Sequence, residues 1–262
     1  MSSAGAALPR PGRRLGLLQL MLTASRRMES TEAYRNFQRT QAELLLQYLR
    51  DQEVELASAD VLDLGCGYGG YSDVFRSEGA SVISSDLIIE PSVAGELSTS
   101  GQALQADATS LPVRDESMDF VFCASLIEHV EKPLQLLSEI RRVLRAGGKC
   151  YLSFPPFYSP VGGHQFKPFH LLGEGAAISL HRLTHKGDHG ASAFANAYGA
   201  WGLYPRTIGG VRRDVQALGF SILDQSTRFL PLNVSRVPLL SEFLTWHVQF
   251  LLLKPAWSER CA

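Results

Sequence analysis

Apolar and polar residues follow two periods along this chain, and the period changes at regular intervals. Short continuous apolar runs are typical of strands buried in a parallel sheet. Between them, apolar residues recur three or four positions apart, as on one face of a helix. The predicted strands lie at residues 60–64, 81–85, 103–106, 120–124 and 150–154. Strands that alternate with helices predict an α/β fold with a doubly wound, mostly parallel sheet between two helical layers.

Start and stop signals place several helices between these strands. Apolar residues recur at helical spacing from Ser30 to Asp51, with Thr31 and Glu32 as start signals. A short helix is predicted over residues 71–77. Pro133 begins another helix, which ends at Leu144 before a turn containing Gly147 and Gly148.

The regular alternation stops after residue 154. Residues 155–206 are rich in glycine, histidine and aromatic residues, and a long irregular insertion of this kind is usually a lid or a binding loop. Alternation then resumes with a helix, a strand, a helix and a strand at 208–218, 220–228, 239–245 and 247–253. We therefore expect residues 29–262 to form a single domain in which the insertion at 155–206 is a lid or a binding loop.

The first 28 residues have a different character. Three arginines, Arg10, Arg13 and Arg14, precede the apolar run 15–22, which loosely matches a secretion signal. The run is too short to cross a bilayer. A leader that is flexible or helical is the simpler interpretation, with export as the alternative.

Composition and charge narrow the classes of function. The 262 residues are 45% hydrophobic and 19% charged, with a net charge of −1, which is ordinary for a globular protein. Residues 29–150 hold 20 acidic against 10 basic residues, and residues 151–262 hold 6 against 10. The acidic half argues against a nucleic-acid groove there. The four cysteines, Cys66, Cys123, Cys150 and Cys261, have no metal-ligand spacing, and we expect buried thiols in a reducing cytoplasm.

A glycine-rich turn follows the first strand without a spacer. Residues 61–70 read VLDLGCGYGG, in which an apolar run passes into four glycines. Such a turn lets the backbone approach a bound ligand closely. A dinucleotide site would place an anionic pyrophosphate here, and Asp63 would repel it. A cationic ligand, in contrast, would be favoured by this carboxylate.

At this point the sequence resembles the class I S-adenosylmethionine-dependent methyltransferases, in particular the small-molecule branch similar to type 11. Their first motif is an acid, one residue, then Gly-x-Gly-x-Gly, matched here by Asp63, Gly65, Gly67 and Gly69, with Cys66 inside the turn. The resemblance implies a Rossmann-like, seven-stranded sheet with a reversed terminal strand in a three-layer α/β/α domain. It also implies S-adenosyl-L-methionine as the cofactor and a substrate-binding role for the insertion at 155–206.

Residues at the ends of the next strands complete the expected cofactor site. Asp86, followed by Leu87, lies at the end of the second strand, where a carboxylate can accept both ribose hydroxyls; a helix cap is the alternative. The resemblance assigns Asp107 and Ala108 to the adenine ring, whereas an ordinary loop acid would look the same. Ser125 follows the fourth strand and is expected to face the cofactor.

The candidate catalytic residues are histidines. His129, after the fourth strand, is the first candidate for a general base, and His164 is the second. His170 and Tyr158 are further candidates in the insertion. Structural roles remain open for each, namely a helix cap for His129 and a loop histidine bonded to carbonyls for His164.

The sequence favours a site without a metal. Residues 125–129, SLIEH, resemble the second half of the Glu-x-x-Glu-His stretch of metal-assisted O-methyltransferases, but Ser125 stands in place of the first carboxylate. His181, His185 and His189 are spaced as on one helix face, yet Gly187 and Asp188 make an uninterrupted helix doubtful. We therefore predict no metal.

These observations predict a methyltransferase that transfers a methyl group to an oxygen of a small-molecule acceptor. The acceptor classes that we expect are a sugar, a lipid-linked molecule or an aromatic metabolite. The alternatives are a methyltransferase of protein or RNA, a non-catalytic cofactor-binding module, and a nicotinamide-dependent oxidoreductase through the Gly-x-Gly-x-x-Gly match at Gly65, Gly67 and Gly70. The apolar stretches 229–232 and 237–250 leave contact with a membrane surface or a lipid-like substrate open. The state of assembly is a monomer or a homodimer.

Overall fold

The computed structural model describes residues 13–91, 94–95, 102–184, 192–198, 201–229, 233–237 and 240–256. Cys261, His185, His189 and the first part of the predicted leader lie outside the described residues. No helix among the described residues is both long and apolar enough to cross a membrane.

A seven-stranded sheet in the order β3-β2-β1-β4-β5-β7-β6 is the centre of the molecule. Its strands are β1 (Asp60–Leu64), β2 (Ser81–Asp86), β3 (Gln102–Gln105), β4 (Met118–Ala124), β5 (Leu144–Phe154), β6 (Ser221–Thr227) and β7 (Val248–Leu253). Strands β1 to β5 pair in parallel, whereas β7 is antiparallel to both β5 and β6. The doubly wound sheet with a reversed terminal strand is therefore confirmed.

Helices cover both faces of this sheet. The helices among the described residues are α1 (Arg13–Arg26), α2 (Thr31–Asp51), α3 (Gly70–Ser77), α4 (Pro133–Val143), α5 (Glu174–Thr184), α6 (Ile208–Ala217) and α7 (Ser241–Leu244). One hydrophobic core lies between the sheet and α4 with α6, and a second lies between the sheet and α2 with α3. This arrangement gives the three layers expected from the alternating pattern.

Local signals explain where α2 and α4 begin. The Ser30 hydroxyl accepts a hydrogen bond from the Ala33 N–H at 3.1 Å, so Ser30 caps α2 one residue before the expected start signals. Pro133 occupies the first turn of α4, as predicted. Helix α1, within the predicted leader, packs against α2.

The start of strand β5 differs from the sequence expectation. Strand β5 begins at Leu144 instead of Cys150, because the predicted glycine turn is built into the strand as an irregularity in its pairing with β4. Gly147 provides the positive φ of +80° that this irregularity requires. Cys66, Cys123 and Cys150 are buried free thiols, as expected for small apolar residues.

Replacing Leu137 by alanine should lower the free energy of unfolding by about 2–5 kcal/mol, since this side chain on α4 is fully buried and its loss leaves a cavity. Leu134 on the same helix is 49% exposed, so Leu134→Ala is the matched control and should cost less than about 1 kcal/mol. Urea unfolding of both variants measures the difference. Equal losses of unfolding free energy in the two variants would contradict the buried position of Leu137.

Candidate active site

The glycine turn connects β1 to α3 at the carboxyl edge of the sheet. Gly65, Gly67 and Gly69 have φ values of +80°, +55° and +80°, which side chains rarely tolerate. The N–H groups of Gly65 and Cys66 both donate to the Ser85 carbonyl oxygen, at 2.8 and 3.0 Å. The turn is therefore fastened to the end of β2, at the edge where open parallel sheets bind their ligands.

Asp63 lies beneath this turn and is almost completely buried. Its carboxylate accepts a hydrogen bond of 2.6 Å from the Ser72 hydroxyl, which also lies 2.7 Å from the hydroxyl of Ser84. Burial raises the pKa of Asp63 to about 7. The side chain thus joins β1 to α3, and its effect on a cationic ligand stays a prediction.

Asp86 ends β2 and faces the same turn. Its Oδ2 accepts a hydrogen bond from the Gly67 N–H at 2.8 Å, and its Oδ1 accepts one from the Ile88 N–H at 3.4 Å. The neighbouring Leu87 is exposed. Because each carboxylate oxygen has a second lone pair, Asp86 keeps acceptor capacity for a diol. Its role toward ribose stays a prediction.

Asp107 follows β3 and makes local hydrogen bonds. Its Oδ1 accepts from the N–H and the hydroxyl of Thr109, both at 2.8 Å, so the residue stabilises its own loop. Ala108 packs against the larger core. The structure shows the loop role of Asp107, and the adenine contact implied by the resemblance stays a prediction.

The loop after β4 closes against the glycine turn. Ser125 is exposed with φ +54°, and its N–H donates to the Ser153 carbonyl at 2.8 Å. A Cβ at Gly65 would lie only 3.2 Å from the Cβ of Leu126. Glycine at position 65 is therefore needed for this approach as well as for the turn itself.

Glu128, His129 and His164 come together at this edge. One oxygen of Glu128 and one ring nitrogen of each histidine all lie within 4.8 Å of one another. The Glu128 Oε1 is 3.8 Å from the His164 Nε2, and the two imidazole centroids are 5.0 Å apart in an edge-to-face arrangement. The structure thus unites the two predicted catalytic histidines and adds Glu128.

Burial controls the charge of this cluster. It raises the pKa of Glu128 to about 8. It lowers the pKa of His164 to about 3, with the neighbouring His129 as a further cause, and it lowers the pKa of His129. All three groups are therefore predominantly neutral near pH 7. Perturbed pKa values of this kind are concentrated at functional sites.

The protonation of His129 follows from its hydrogen bond. Its Nδ1 lies 2.8 Å from the Gly202 carbonyl oxygen, which can only accept, so Nδ1 carries the hydrogen. In the neutral ring Nε2 then has the free lone pair. His129 can accordingly take a proton or bind a cation through Nε2.

Residues 202–206, which we call the closing segment, hold the insertion on the β4 loop. The Tyr204 N–H donates to the Glu128 carbonyl at 2.7 Å, and the Arg206 guanidinium donates to the carbonyls of Ile127, Val130 and Glu131. Together with the His129 contact to Gly202, these bonds fix the backbone around the cluster.

Other predicted residues are placed elsewhere. His170 is buried against Phe157, and Tyr158 is exposed beside Phe243, so neither joins the cluster. The glycines before His164 pack against the chain itself. A Cβ at Gly162 would lie 2.0 Å from the Pro156 carbonyl oxygen, and one at Gly163 would lie 2.2 Å from the His170 ring. Close packing within the chain therefore accounts for glycine at both positions.

Three tyrosines near the site were missed by the sequence analysis. Tyr198 packs edge-on against His129, with ring centroids 5.3 Å apart. Tyr34 on α2 and Tyr68 in the glycine turn are also in contact, at 5.3 Å. The pKa of Tyr34 is raised by burial and also by Glu128, which places it near the cluster. The sequence indicated only that Tyr34 lies on a helix, and the helical pattern does not show which face of that helix contacts the site.

An apolar cavity of about 380 Å³ lies within the insertion. Its lining includes Phe157, His170, Phe194, Leu203 and Tyr204. Two of these residues, Leu203 and Tyr204, belong to the closing segment, which contacts Glu128 and His129. The cavity and the cluster therefore share one stretch of backbone.

The chain is similar to known methyltransferases. Residues 62–152 match the family model described as a methyltransferase domain. An uncharacterized methyltransferase of Mycolicibacterium vanbaalenii is 33% identical over 150 residues, covering 53% of this chain and 57% of the relative. A second one, from Mycobacterium sp. (strain JLS), is 34% identical over 140 residues, covering 52% and 56%. The chain thus spans somewhat more than half the length of the curated relatives it matches.

Solved structures with the same fold include two instructive cases. An S-adenosylmethionine-dependent methyltransferase from Mesorhizobium loti aligns with a TM-score of 0.57 and 20% identity, over 81% of this chain and 97% of that one. The [4+2]-cyclase SpnF aligns with a TM-score of 0.55 and 14% identity, over 96% and 99%. At these identities the likeness shows the fold alone.

Replacing Arg206 by methionine should loosen the insertion, because three backbone carbonyls lose their donor. We expect faster hydrogen exchange in residues 157–184 and a loss of about 1–3 kcal/mol in the free energy of unfolding. Exchange followed by mass spectrometry measures this. Arg213 on α6 is exposed, so Arg213→Met is the matched control and should change neither quantity. Unchanged exchange in Arg206→Met would contradict the role of the closing segment.

The raised pKa of Asp63 predicts a pH-dependent stability. The pKa of Asp63 is about 7 in the folded protein and about 3.9 in the unfolded chain. The protonated side chain therefore stabilises the folded state at low pH, and this contribution is lost as the pH rises from about 3.9 through about 7. Asp63→Asn, which cannot ionise, should therefore gain at least about 1.4 kcal/mol relative to the wild type between pH 5 and pH 8. Urea unfolding of the ligand-free proteins at both pH values checks this, and a constant difference would contradict it.

Proposed function

We infer that this chain, which carries a class I S-adenosylmethionine-dependent methyltransferase domain, is an enzyme that methylates the hydroxyl oxygen of a small molecule. The observation that carries the proposal is the cluster of Glu128, His129 and His164 at the edge of the sheet where the glycine turn lies. A protein that only binds the cofactor would not require buried polar groups without partners beside the cofactor site.

The residues present fit S-adenosylmethionine, the cofactor that the domain and its structural neighbours imply. The turn from Gly65 to Gly69 exposes backbone with positive φ at the carboxyl edge of the sheet, and Asp86 and Asp107 stand at successive strand ends. Asp86 would hold the ribose and Asp107 the adenine. The cofactor supplies a methyl group on a sulfonium, which is already activated for transfer.

The acceptor side would then have two tasks, to orient a hydroxyl and to receive its proton. In our proposal the Nε2 of His129 takes the proton while the hydroxyl oxygen forms the new bond to the methyl carbon. The bond between that carbon and sulfur breaks, and its electron pair leaves a neutral thioether. The Gly202 carbonyl holds His129 in the required tautomer.

Several features favour a small, partly apolar acceptor. The insertion contains an apolar cavity of about 380 Å³, a size suited to a sugar, lipid-linked or aromatic metabolite. Residues 29–150 are strongly acidic, which disfavours a nucleic-acid phosphate backbone. Free buried thiols at Cys66, Cys123 and Cys150 agree with a cytoplasmic enzyme. We leave monomer and homodimer as equal expectations.

Two alternatives are kept, an enzyme acting on protein or RNA and a cofactor-binding module without methyl transfer. The second has a specific reason, because the [4+2]-cyclase SpnF has the same fold although its name denotes a cyclisation. The same fold can support different reactions. The decisive measurement therefore has to follow the methyl group itself.

Incubation with methyl-labelled S-adenosylmethionine and separated cell fractions tests the proposal. The label should enter the small-molecule fraction and not the protein or RNA fractions, in a product whose mass spectrum shows an O-methyl group. Label in protein or RNA would favour the first alternative. Binding of S-adenosylhomocysteine with no label in any fraction would favour the second.

Two variants separate binding from transfer. His129→Ala should slow transfer at least about 100-fold because the proton acceptor is lost, with the affinity for S-adenosylhomocysteine nearly unchanged. Asp86→Ala should weaken that affinity, measured by calorimetry, because the ribose acceptor and the bond to Gly67 are both lost. His181→Asn, a buried histidine of the insertion outside the cluster, is the control for His129.

A further inference from the structure

We propose that Glu128, His129 and His164 bind a divalent transition-metal ion. The three residues offer one carboxylate oxygen and two imidazole nitrogens, all within 4.8 Å of one another. They come from two separate parts of the chain, the β4 loop and the insertion. The site is defined by the structure alone, whereas the consequence for catalysis rests on the function proposed above.

Glu128 is the strongest single indication. Its side chain is only 2% exposed, and neither carboxylate oxygen has a hydrogen-bond partner among the described residues. A buried carboxyl group without a partner is costly, and most such groups are paired, bonded or bound to a metal. The Nε2 of His164, 3.8 Å away, is likewise buried and without a hydrogen-bond partner in the part of the chain that the structure describes.

His129 has the arrangement usual for a histidine ligand. Histidines that bind metals generally donate the hydrogen of their other ring nitrogen to a carbonyl or carboxylate, which fixes the ring and its tautomer. The Nδ1–H of His129 makes such a bond to the Gly202 carbonyl at 2.8 Å. Nε2 is then left with the lone pair that a cation needs.

This proposal revises the metal-free interpretation of the sequence. That interpretation rested on Ser125, which stands where a first carboxylate would be expected. The structure provides His164 from the insertion in its place. His164 has a φ of +50°, and this left-handed backbone is part of how its ring reaches Glu128. No spacing rule connects His164 to the β4 loop.

The donor set indicates the kind of ion. Two imidazoles and one carboxylate suit Zn²⁺, Co²⁺ or Fe²⁺, whereas Mg²⁺ and Ca²⁺ prefer oxygen ligands. Ligand atoms around tetrahedral Zn²⁺ are about 3.4 Å apart, given bond lengths near 2.1 Å. The separations in the cluster, 3.8 Å and up to 4.8 Å, are somewhat wider. An ion would draw the side chains inward.

With such an ion, His129 would be a ligand and the ion would activate the acceptor. A hydroxyl bound in an open coordination position has a lower pKa, so its proton can leave to water. The oxygen then attacks the methyl carbon, and the sulfonium becomes a neutral thioether as the carbon–sulfur bond breaks. A catalytic ion with three protein ligands keeps a position open for this purpose.

Co²⁺ binding to the untagged, chelator-treated full chain tests the site. We expect one Co²⁺ per chain, with visible absorption bands typical of nitrogen and oxygen ligands. Glu128→Gln and His164→Asn should each weaken binding at least about tenfold, since even the outer partners of metal ligands contribute that much. Asparagine is chosen at position 164 because it tolerates positive φ. His181→Asn is the matched control and should bind Co²⁺ like the wild type.

Circular dichroism shows whether each variant is folded, and titration with S-adenosylhomocysteine separates the two proposals. The metal site is overturned if the folded wild type binds no Co²⁺, or if both cluster variants bind it with wild-type affinity. Methyl transfer by a protein that binds no Co²⁺ would leave His129 as the base and the proposed function intact. Co²⁺ binding without uptake of S-adenosylhomocysteine would support the site and contradict the function.

Discussion

The site depends on the attachment of the closing segment to the loop after β4. The bonds of Tyr204 and Arg206 all end on main-chain carbonyls of that loop, so the loop backbone is fixed from outside the sheet. Buried carbonyls need such donors. These hydrogen bonds hold the backbone of the loop in place. The side chains of Glu128 and His129 extend from this backbone and meet His164, which belongs to the insertion.

Two buried acids on this edge have opposite surroundings. Asp63 is satisfied by the Ser72 hydroxyl and works within the fold, joining β1 to α3. Glu128 is equally buried but has no hydrogen-bond partner among the described residues. Burial raises the pKa of both. Because Asp63 has a hydrogen-bond partner and Glu128 has none among the described residues, we assign Asp63 to the stability of the fold and propose Glu128 as a functional residue. The sequence alone does not distinguish the two acids.

The sequence predicted the parts of this protein that depend on local patterns. Strand β1 was found at its observed bounds, and the glycine turn was identified because positive φ values restrict the residue type. Asp86 was proposed as a cofactor residue from its place at the end of a strand, and Asp107 from the family resemblance; both roles stay predictions. The extent of β5 was missed, since only pairing with β4 shows that Gly147 lies inside a strand. His164 was a candidate, but its position beside Glu128 depends on tertiary contacts that no spacing encodes.

The insertion has a hydrophobic core of its own, so its cavity and the glycine turn belong to separately packed parts of the protein. Phe157, Phe166, Ile178, Phe194 and Leu203 form an apolar cluster separate from the two cores that cover the sheet. Side chains that pack only within one cluster are weakly coupled to distant ones. Substitutions in the cavity should therefore leave the glycine turn undisturbed. The cluster of Glu128, His129 and His164 is different, because its residues come from both the β4 loop and the insertion.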